Sequence, residues 1–397
     1  MRTKRVAIIG TTGLPAKYGG FETLTHHLVD RLNNRFEITV YCSNKYFAKK
    51  ASRPKYFKGA KLVYLPFNAN GYQSIIYDIC SVFHALRNSD VLLMLGVSGA
   101  IILPFVKLFT KKPILINIDG QEWKRPKWNW IAKKILRLSE KIAVRLADTV
   151  ITDNRIIREY VEAEYDRHDA WLIEYGSDHV SKQDKNSDTL ARYDFLDKSY
   201  AFNVCRIEPE NNVHVILEAF SKNPNHLLVV VGLWDHGTYG IQLRKKYNDF
   251  SNIYLLDPIY DQHALNVLRS NAALYVHGHS AGGTNPSLVE AMGLGLPVVA
   301  FDISYNRETT GHKAIYFRNV DDLVEIIKNL SSTKRNEIAN NLENFAKEKY
   351  TWKRITSLYA MAFEGEDISV VEQLTERISH QQEEKIVSVT MEKRKVA

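Results

Sequence analysis

Short apolar runs alternate with segments of helical spacing along the first 176 residues. The run "RVAIIG" (5–10) ends at a glycine, and the next segment (21–34) repeats its apolar residues every three or four positions. Further strand candidates follow at 36–42, 61–67, 90–95, 113–119 and 148–153. Strands separated by helix-length segments are typical of right-handed βαβ units, so this pattern predicts a parallel sheet.

The alternation stops between residues 177 and 198 and then starts again. This segment is rich in Ser, Asp and Lys and has no apolar period, which is typical of a linker. New strand candidates lie at 200–205, 226–232, 252–257, 272–278, 297–302 and 314–317. The fold class is therefore α/β, with two Rossmann-like parallel-sheet domains, 1–176 and 199–349, facing each other across a cleft.

Two helices and a tail are predicted after the second domain. The pattern at 335–349 leads into 350–365, whose aromatic face we expect to pack back onto the N-terminal domain. Residues 366–397 are charged and poor in aromatic residues, which predicts a peripheral tail.

The composition indicates the class of protein and its cellular compartment. The chain has 397 residues, of which 45% are hydrophobic and 25% charged, as is usual for a globular protein. The three cysteines have neither metal-ligand nor disulfide spacing, which suits a reducing cytoplasm. The longest apolar stretch (91–109) is interrupted by two glycines, a proline and a lysine. A strand followed by a buried helix is favoured there over a membrane span.

Positive charge is concentrated in the N-terminal part. Residues 1–180 hold 28 Lys and Arg against 17 Asp and Glu. In the helix 131–147 we interpret one face as an apolar stripe (Ile131, Ile135, Leu138, Ile142 and Leu146), with lysines and arginines on the other. This surface is either simply solvated or binds anionic lipid headgroups or an anionic acceptor. No nucleic-acid-binding module is present, so nucleic acid is not expected as a partner.

The first candidate site is the loop "GTTGLPAKYGGFE" (10–22), directly after strand 1. It lacks the spacing of a dinucleotide fingerprint, which disfavours a nicotinamide enzyme. Gly19 and Gly20 precede a helix, where their amides could approach an anion. The alternative is a tight glycine turn with no ligand.

The second candidate is "HSAGGTNPSLVEAMGLGLPVV" (279–299). Thr284 or Asn285 can cap the helix that Pro286 begins, and free amides at that end suit a diphosphate. Glu290 lies about one turn inside, where its carboxylate could accept hydrogen bonds from a ribose. A bare glycine-rich turn is again the alternative.

These motifs resemble the retaining GT-B glycosyltransferases of family 4 over roughly residues 4–365. "EAMGLGLPVVA" (290–300) matches the second half of the family's Glu-x7-Glu signature. "TTGLPAKYGGFETL" (11–24), "NIDGQEWKRPKW" (117–128) and "GGTNPSLVEAM" resemble a subgroup that includes bacterial rhamnosyltransferases of polysaccharide biosynthesis. The resemblance implies that Glu290 binds the ribose and that Arg206, in "NVCRIEPENN", neutralises the donor diphosphate. The substrate-binding set is Gly19, Gly20, Glu122, His279, Gly282, Gly283, Thr284, Asn285, Pro286, Ser287 and Leu288.

Two positions depart from the family pattern. Gly282 stands where the first signature Glu contacts sugar hydroxyls, which implies a deoxy sugar or a different sugar orientation. Asn211 stands where the family has a Lys on the diphosphate, so one positive charge is missing. Lys17 or a backbone nest could compensate.

The third candidate stretch (117–128) ends an N-terminal strand. Asp119 is predicted to orient or deprotonate an acceptor hydroxyl, and Glu122 could take the same role. A carboxylate that merely caps the loop is the alternative. Nearby tryptophans could stack on an acceptor sugar, and the basic residues beside them could bind a lipid phosphate; these are Trp123, Trp128 and Trp130 with Lys124, Arg125 and Lys127. The alternative is that they form the core and rim of a helix start. A metal site is not expected, because no D-x-D triplet occurs and His277 and His279 lack a carboxylate at matching spacing.

Together these observations predict a metal-independent, retaining hexosyltransferase with no cofactor beyond its nucleotide-sugar co-substrate. We expect a dTDP-sugar donor, with rhamnose favoured, and a glycan or lipid-diphosphate-linked acceptor for the cell envelope. The enzyme would be cytoplasmic, at the inner face of the plasma membrane. The alternatives are a nucleotide-sugar epimerase, a phosphorylase, or a catalytically silent sugar-nucleotide- or glycan-binding subunit.

Overall fold

The computed structural model describes residues 2–16, 19–45, 53–118, 120–125 and 128–369. The strands of the N-terminal sheet are β1 (Arg5–Ile9), β2 (Glu37–Ser43), β3 (Tyr56–Phe57), β4 (Ala60–Leu65), β5 (Val91–Leu95), β6 (Ile114–Ile118), β7 (Thr149–Thr152) and β8 (Trp171–Leu172). Their order is β3-β4-β2-β1-β5-β6-β7-β8, and every neighbouring pair is parallel except β3 with β4.

The N-terminal strands are apolar on both faces because helices cover both sides of the sheet. Strands β5 and β6 are buried along their whole length. The covering helices are α1 (Gly20–Leu32), α2 (Gln73–Asn88), α3 (Leu103–Phe109), α4 (Trp130–Leu146) and α5 (Arg155–Tyr165).

The second sheet is entirely parallel. Its strands are β9 (Tyr200–Val204), β10 (Leu227–Val231), β11 (Ile253–Leu256), β12 (Leu274–His277), β13 (Val298–Phe301) and β14 (Ile315–Phe317), in the order β11-β10-β9-β12-β13-β14. The remaining helices are α6 (Ser187–Arg192), α7 (Val213–Ser221), α8 (Thr238–Tyr247), α9 (Gln262–Ser270), α10 (Pro286–Gly293), α11 (Ser304–Thr309), α12 (Val320–Asn329), α13 (Ser332–Lys349) and α14 (Trp352–Glu364). The predicted α/β class with two Rossmann-like sheets is confirmed.

The last described helix, α14, packs against α1 of the N-terminal domain. Its Tyr359 hydroxyl accepts a hydrogen bond of 2.6 Å from Asn117 Nδ2 on β6. Lys4 Nζ donates to the carbonyls of Phe363 and Glu364 at the end of α14. The two ends of the described chain therefore lie side by side, while α6 forms inside the predicted linker.

Two expectations about the basic N-terminal region were wrong. Helix α3 is not buried, because Leu108 and Phe109 are 78% and 72% exposed. On α4 the expected apolar stripe is not the packed face, since Ile131 and Leu138 are each half exposed. The buried residues of the helix are instead Ala132, Leu136, Ser139, Glu140, Ala143 and Val144, of which Ala132, Ser139 and Ala143 are small. Small residues let the helix approach its neighbours closely, which leaves the larger aliphatic residues on its flank.

No helix among the described residues is both long enough and apolar enough to cross a bilayer.

Candidate functional site

A cleft lies where the carboxyl ends of the two sheets face each other, as expected for ligand sites of parallel α/β sheets. It encloses about 390 Å³. One wall includes the loops that follow β1, β4, β5, β6 and β7, and the other includes the loops that follow β9, β10, β11 and β12. Both glycine-rich motifs open into this cleft.

The turn before α10 has the predicted cap. Asn285 is the N-cap of α10, its side chain accepts a 3.0 Å hydrogen bond from the Ser287 amide, and Pro286 occupies the first turn. In the described part of the chain, the amides of Gly282, Gly283 and Asn285 have no protein acceptor. The open donors therefore lie at 282–285, slightly upstream of the expected turn, at the positive end of the helix dipole.

Positions 282 and 283 require glycine for different reasons. Gly282 has φ +101°, and a Cβ there would meet no atom within 4 Å. A Cβ on Gly283 would lie 1.7 Å from Oδ1 of Asp153, a residue of the other domain. The same carboxylate accepts a 3.4 Å hydrogen bond from the Thr284 amide. Gly282 thus provides the backbone conformation, whereas Gly283 allows the two domains to touch.

Glu290 lines the cleft and is held by two basic groups. Its Oε2 lies 2.5 Å from Nη2 of Arg269, and its Oε1 lies 3.1 Å from Nε2 of His179. Burial alone would raise the pKa of Glu290, but the Arg269 charge and the His179 hydrogen bond outweigh it, so the pKa lies below its usual value. The carboxylate is therefore ionised and oriented before any ligand arrives.

Arg206 lies just beyond β9 and is exposed in the cleft. Among the described residues its guanidinium has no hydrogen-bonding or ionic partner. Asn211 also lines the cleft, but it brings no charge there, and its buried side chain donates a 2.7 Å hydrogen bond to the Arg206 carbonyl. The guanidinium is thus available to an anion, and Asn211 braces the loop that carries it.

The first N-terminal motif forms the facing wall. Gly19 is the N-cap of α1, with φ +115°, and a Cβ there would lie 2.0 Å from Glu22 Oε2. The other oxygen of Glu22 accepts 2.7 Å hydrogen bonds from the amide and hydroxyl of Thr12. A Cβ on Gly20 would lie 3.6 Å from Pro286 Cγ, so the two glycine motifs meet across the cleft. Lys17 lies outside the described residues.

The loop after β6 brings charge to the same cleft. Glu122 accepts a 3.0 Å hydrogen bond from Trp128 Nε1 and lies 2.7 Å from Arg125 Nε. Trp123 faces away from it, donating 3.4 Å to Glu140. Asp119 lies outside the described residues, so its predicted role stays a prediction.

His277 and His279 stack at the end of β12, with ring centroids 4.4 Å apart and planes at 8°. Burial lowers the pKa of His277 to about 3. Burial, the adjacent His277 and then the charges of Arg206 and Arg125 lower the pKa of His279. Both imidazoles are therefore neutral at ordinary pH. Across the described ranges no three metal-binding side chains are grouped closely enough to hold an ion.

The structure does not place Leu288 with the other predicted binding residues. Its side chain is fully buried in the hydrophobic core and does not line the cleft, because it lies on the inward face of α10. The sequence analysis also missed two cleft residues, Arg269 and Asp153, and it considered Arg125 only as a contact to lipid phosphate. Arg269 lies four positions after the buried Leu265, a helical spacing that marks it as an inward-facing cation. Asp153 directly follows a parallel strand, where ligand-binding groups collect.

Comparison with known families divides the chain in two. Residues 190–349 match the family described as "Glycosyl transferases group 1". Residues 3–178 match a "Domain of unknown function (DUF1972)".

Relatives among characterised and uncharacterised proteins are distant. An uncharacterized glycosyltransferase of Methanocaldococcus jannaschii is 23% identical over 285 residues, which cover 66% of this chain and 70% of that protein. Glycosyltransferase 1 domain-containing protein 1 of Xenopus tropicalis is 22% identical over 158 residues, or 38% of this chain. The match spans about half, 46%, of that protein's length.

Solved structures share the fold over about nine-tenths of the chain. Sucrose-phosphate synthase from Thermosynechococcus elongatus has a TM-score of 0.75 at 15% identity, covering 91% of this chain and 98% of that one. HepE of Anabaena, in complex with UDP-glucose, has a TM-score of 0.70 at 16% identity, covering 91% and 100%. At this level of identity the likeness establishes the fold.

Proposed function

Because residues 190–349 form a glycosyl transferases group 1 domain within a GT-B fold, we propose that this chain transfers a sugar from a nucleotide-sugar to a hydroxyl of a cell-surface glycan precursor. One observation carries the proposal. The unengaged Arg206 guanidinium and the open amides of Gly282, Gly283 and Asn285 line the same cleft. That arrangement suits a diphosphate, and the UDP-glucose bound to HepE supports a nucleotide-sugar as its source.

The cleft would act by stabilising the leaving group. As the bond between the anomeric carbon and the diphosphate oxygen breaks, negative charge develops on that oxygen. Arg206 and the amides before α10 bind this charge, while Glu290 holds the ribose. The acceptor oxygen bonds to the anomeric carbon from the same side, and its proton passes to the departing phosphate. This route needs no protein nucleophile, and the resemblance to retaining transferases supports retention of configuration.

In this proposal the acceptor binds at the wall of the cleft that the N-terminal domain forms. We propose that Asp119 or Glu122 orients the acceptor hydroxyl. Glu122 is already held by Trp128 and Arg125, which favours an orienting role over proton transfer.

A dTDP-activated deoxy sugar, with rhamnose favoured, is the proposed donor. Gly282 has no side chain to accept a hydrogen bond from a sugar hydroxyl, which fits a sugar that lacks one. Incubation with dTDP-rhamnose, UDP-glucose and GDP-mannose, each with a lipid-diphosphate acceptor, tests this assignment by mass spectrometry of the product. NMR of the new linkage should show the donor's anomeric configuration, and chelation of divalent metals should leave the rate unchanged.

The N-terminal domain is proposed to bind the inner face of the plasma membrane. Leu108, Phe109 and Trp130 are 78%, 72% and 67% exposed, and Lys134 lies 5.0 Å above the Trp130 ring. Exposed aromatic and aliphatic groups among lysines are typical of surfaces that bind anionic lipid. The wild-type protein should sediment with phosphatidylglycerol vesicles, whereas a Leu108→Ser/Phe109→Ser variant should stay in the supernatant.

The decisive test of transfer is substitution of Arg206 by alanine. The variant should lose most transfer while keeping the fold, because Arg206 is exposed and makes no contact that supports the core. Normal transfer by this variant would refute the proposed site. Product formation without an acceptor would indicate the epimerase, and donor binding with no product across an acceptor panel would indicate the silent binding subunit.

A further inference from the structure

The donor cleft has few permanent cations to balance a diphosphate. Among the described residues that line it, these are Arg125, Arg206 and Arg269. Arg269 is committed to Glu290 at 2.5 Å, and its side chain is only 4% exposed. Arg206 alone carries one charge, whereas a departing nucleoside diphosphate carries more. Of the described cations that line the cleft, the remaining one is Arg125, which belongs to the other domain.

Arg125 is placed to reach the donor side of the cleft. Its Nη1 lies 4.0 Å from Oε1 of Glu210, on the same C-terminal loop as Arg206, although Arg125 follows β6 of the N-terminal domain. Its Nε lies 2.7 Å from Glu122, which fixes the plane of the guanidinium. The side chain is 11% exposed.

A second observation is that the charges of Arg125 and Arg206 both act on the His279 side chain. Both charges help to lower the pKa of His279, after the larger effects of burial and of His277. His279 lies at the end of β12, three residues before the open amides that begin at Gly282. The two guanidinium groups thus flank the region where the diphosphate is proposed to bind.

We propose that Arg125 binds the donor diphosphate together with Arg206, and so replaces from the opposite domain the positive charge that is missing at Asn211. This inference rests on the proposed function. A guanidinium has five N–H donors, so Arg125 can add a phosphate oxygen to the partners that it already has. Because the two cations come from different domains, the diphosphate is fully bound only when the cleft is closed. Donor binding then favours closure, since a ligand shifts the equilibrium towards the state that binds it better.

Calorimetric titration of the full-length protein tests the proposal. The probes are dTDP and dTMP, with UDP and UMP in parallel, so that the difference within each pair reports the second phosphate. Arg125→Ala should weaken diphosphate binding at least about tenfold, the expected loss for one charge-assisted hydrogen bond. Its monophosphate binding should change little, and Arg125→Lys should recover part of the loss. The matched control is Lys124→Ala, because Lys124 lies over the Trp123 ring and does not line the cleft.

The outcomes separate this inference from the proposed function. If Arg206→Ala loses diphosphate affinity and Arg125→Ala does not, the role of Arg125 is wrong and the proposed function stands. If the wild-type protein binds neither dTDP nor UDP, the donor assignment made under the proposed function is refuted, and this inference fails with it. An equal loss of monophosphate and diphosphate binding in Arg125→Ala would show that the residue only supports the loop, and would overturn the proposal. Circular dichroism of each variant identifies loss of fold. If Arg125→Ala does not fold, the diphosphate affinity of Arg125→Lys is compared with that of the wild type instead.

Discussion

Replacing Gly283 with alanine should keep the two domains from meeting at the turn before α10. The new Cβ would lie 1.7 Å from Asp153 Oδ1 and 2.7 Å from Ile157 Cδ1, and both of these atoms belong to the N-terminal domain. Gly283 has no positive φ, so the backbone itself tolerates alanine. The clash is therefore an effect on the domain interface and not on the turn.

The magnitude follows from the cost of overpacking. Forcing one extra methyl into a packed contact typically costs about 1–3 kcal/mol. Since each 1.4 kcal/mol is a factor of ten, the closed state should become about 5- to 150-fold less populated. If transfer requires the closed cleft, kcat/KM should fall within the same range.

Steady-state transfer assays and small-angle scattering would measure the two effects together. The matched control is Gly237→Ala, because a Cβ at Gly237 meets no atom within 4 Å. Adding Asp153→Ala to Gly283→Ala should restore part of the closed population, and the double-mutant cycle gives the coupling between the two sites. Unchanged activity and scattering in Gly283→Ala would refute the reasoning.

Three further predictions follow from buried groups and the glycine motifs. Glu290 has a depressed pKa, so the stability that its ionised form provides should be lost as the pH falls below 4.5. Glu290→Gln should lack this loss, which urea denaturation on either side of that pH would measure. Burial raises the pKa of Asp78 to about 7 despite a hydrogen bond from Ser98, so the contribution of Asp78 to stability should fall as the pH rises from 3.8 to 7. The stability of Asp78→Asn relative to wild type should therefore rise over that range in the same assay. Gly19→Ala should lower the melting temperature, because it combines φ +115° with a Cβ 2.0 Å from Glu22 Oε2. Calorimetry beside Gly71→Ala, where φ is +70° with nothing within 4 Å, separates strain from clash.

Some of the candidate site could be predicted because it depends on neighbours in sequence. The order Asn285, Pro286 fixes a capped helix start, and the structure has that cap. Glycines at 19 and 20 predict a close backbone approach, and a Cβ at either position would crowd another residue. The predicted strands were found because a parallel sheet covered on both faces needs short continuous apolar runs. Strands β3 and β8 were missed, since two residues are too few to show a period.

Helix α4 shows where local pattern fails. Its aliphatic residues at helical spacing predicted a buried stripe, but the helix packs through the neighbouring row that carries Ala132 and Ala143. Periodicity establishes that a helix has faces, whereas the shape of the surface it packs against decides which face is buried.

The sequence by itself determined the two α/β domains, the glycine turns at the ends of their strands and the helix cap that presents open amides. Only the tertiary structure decided which charges meet. It paired Glu290 with Arg269 and His179, set Asp153 against the turn at Thr284, and brought Arg125 to the loop of Arg206. Helix caps, turns and periodicity depend on a few neighbouring residues and are visible in the sequence. The contact of Asp153 with Thr284 joins residues 131 positions apart and depends on how the two sheets are juxtaposed, which no local pattern encodes.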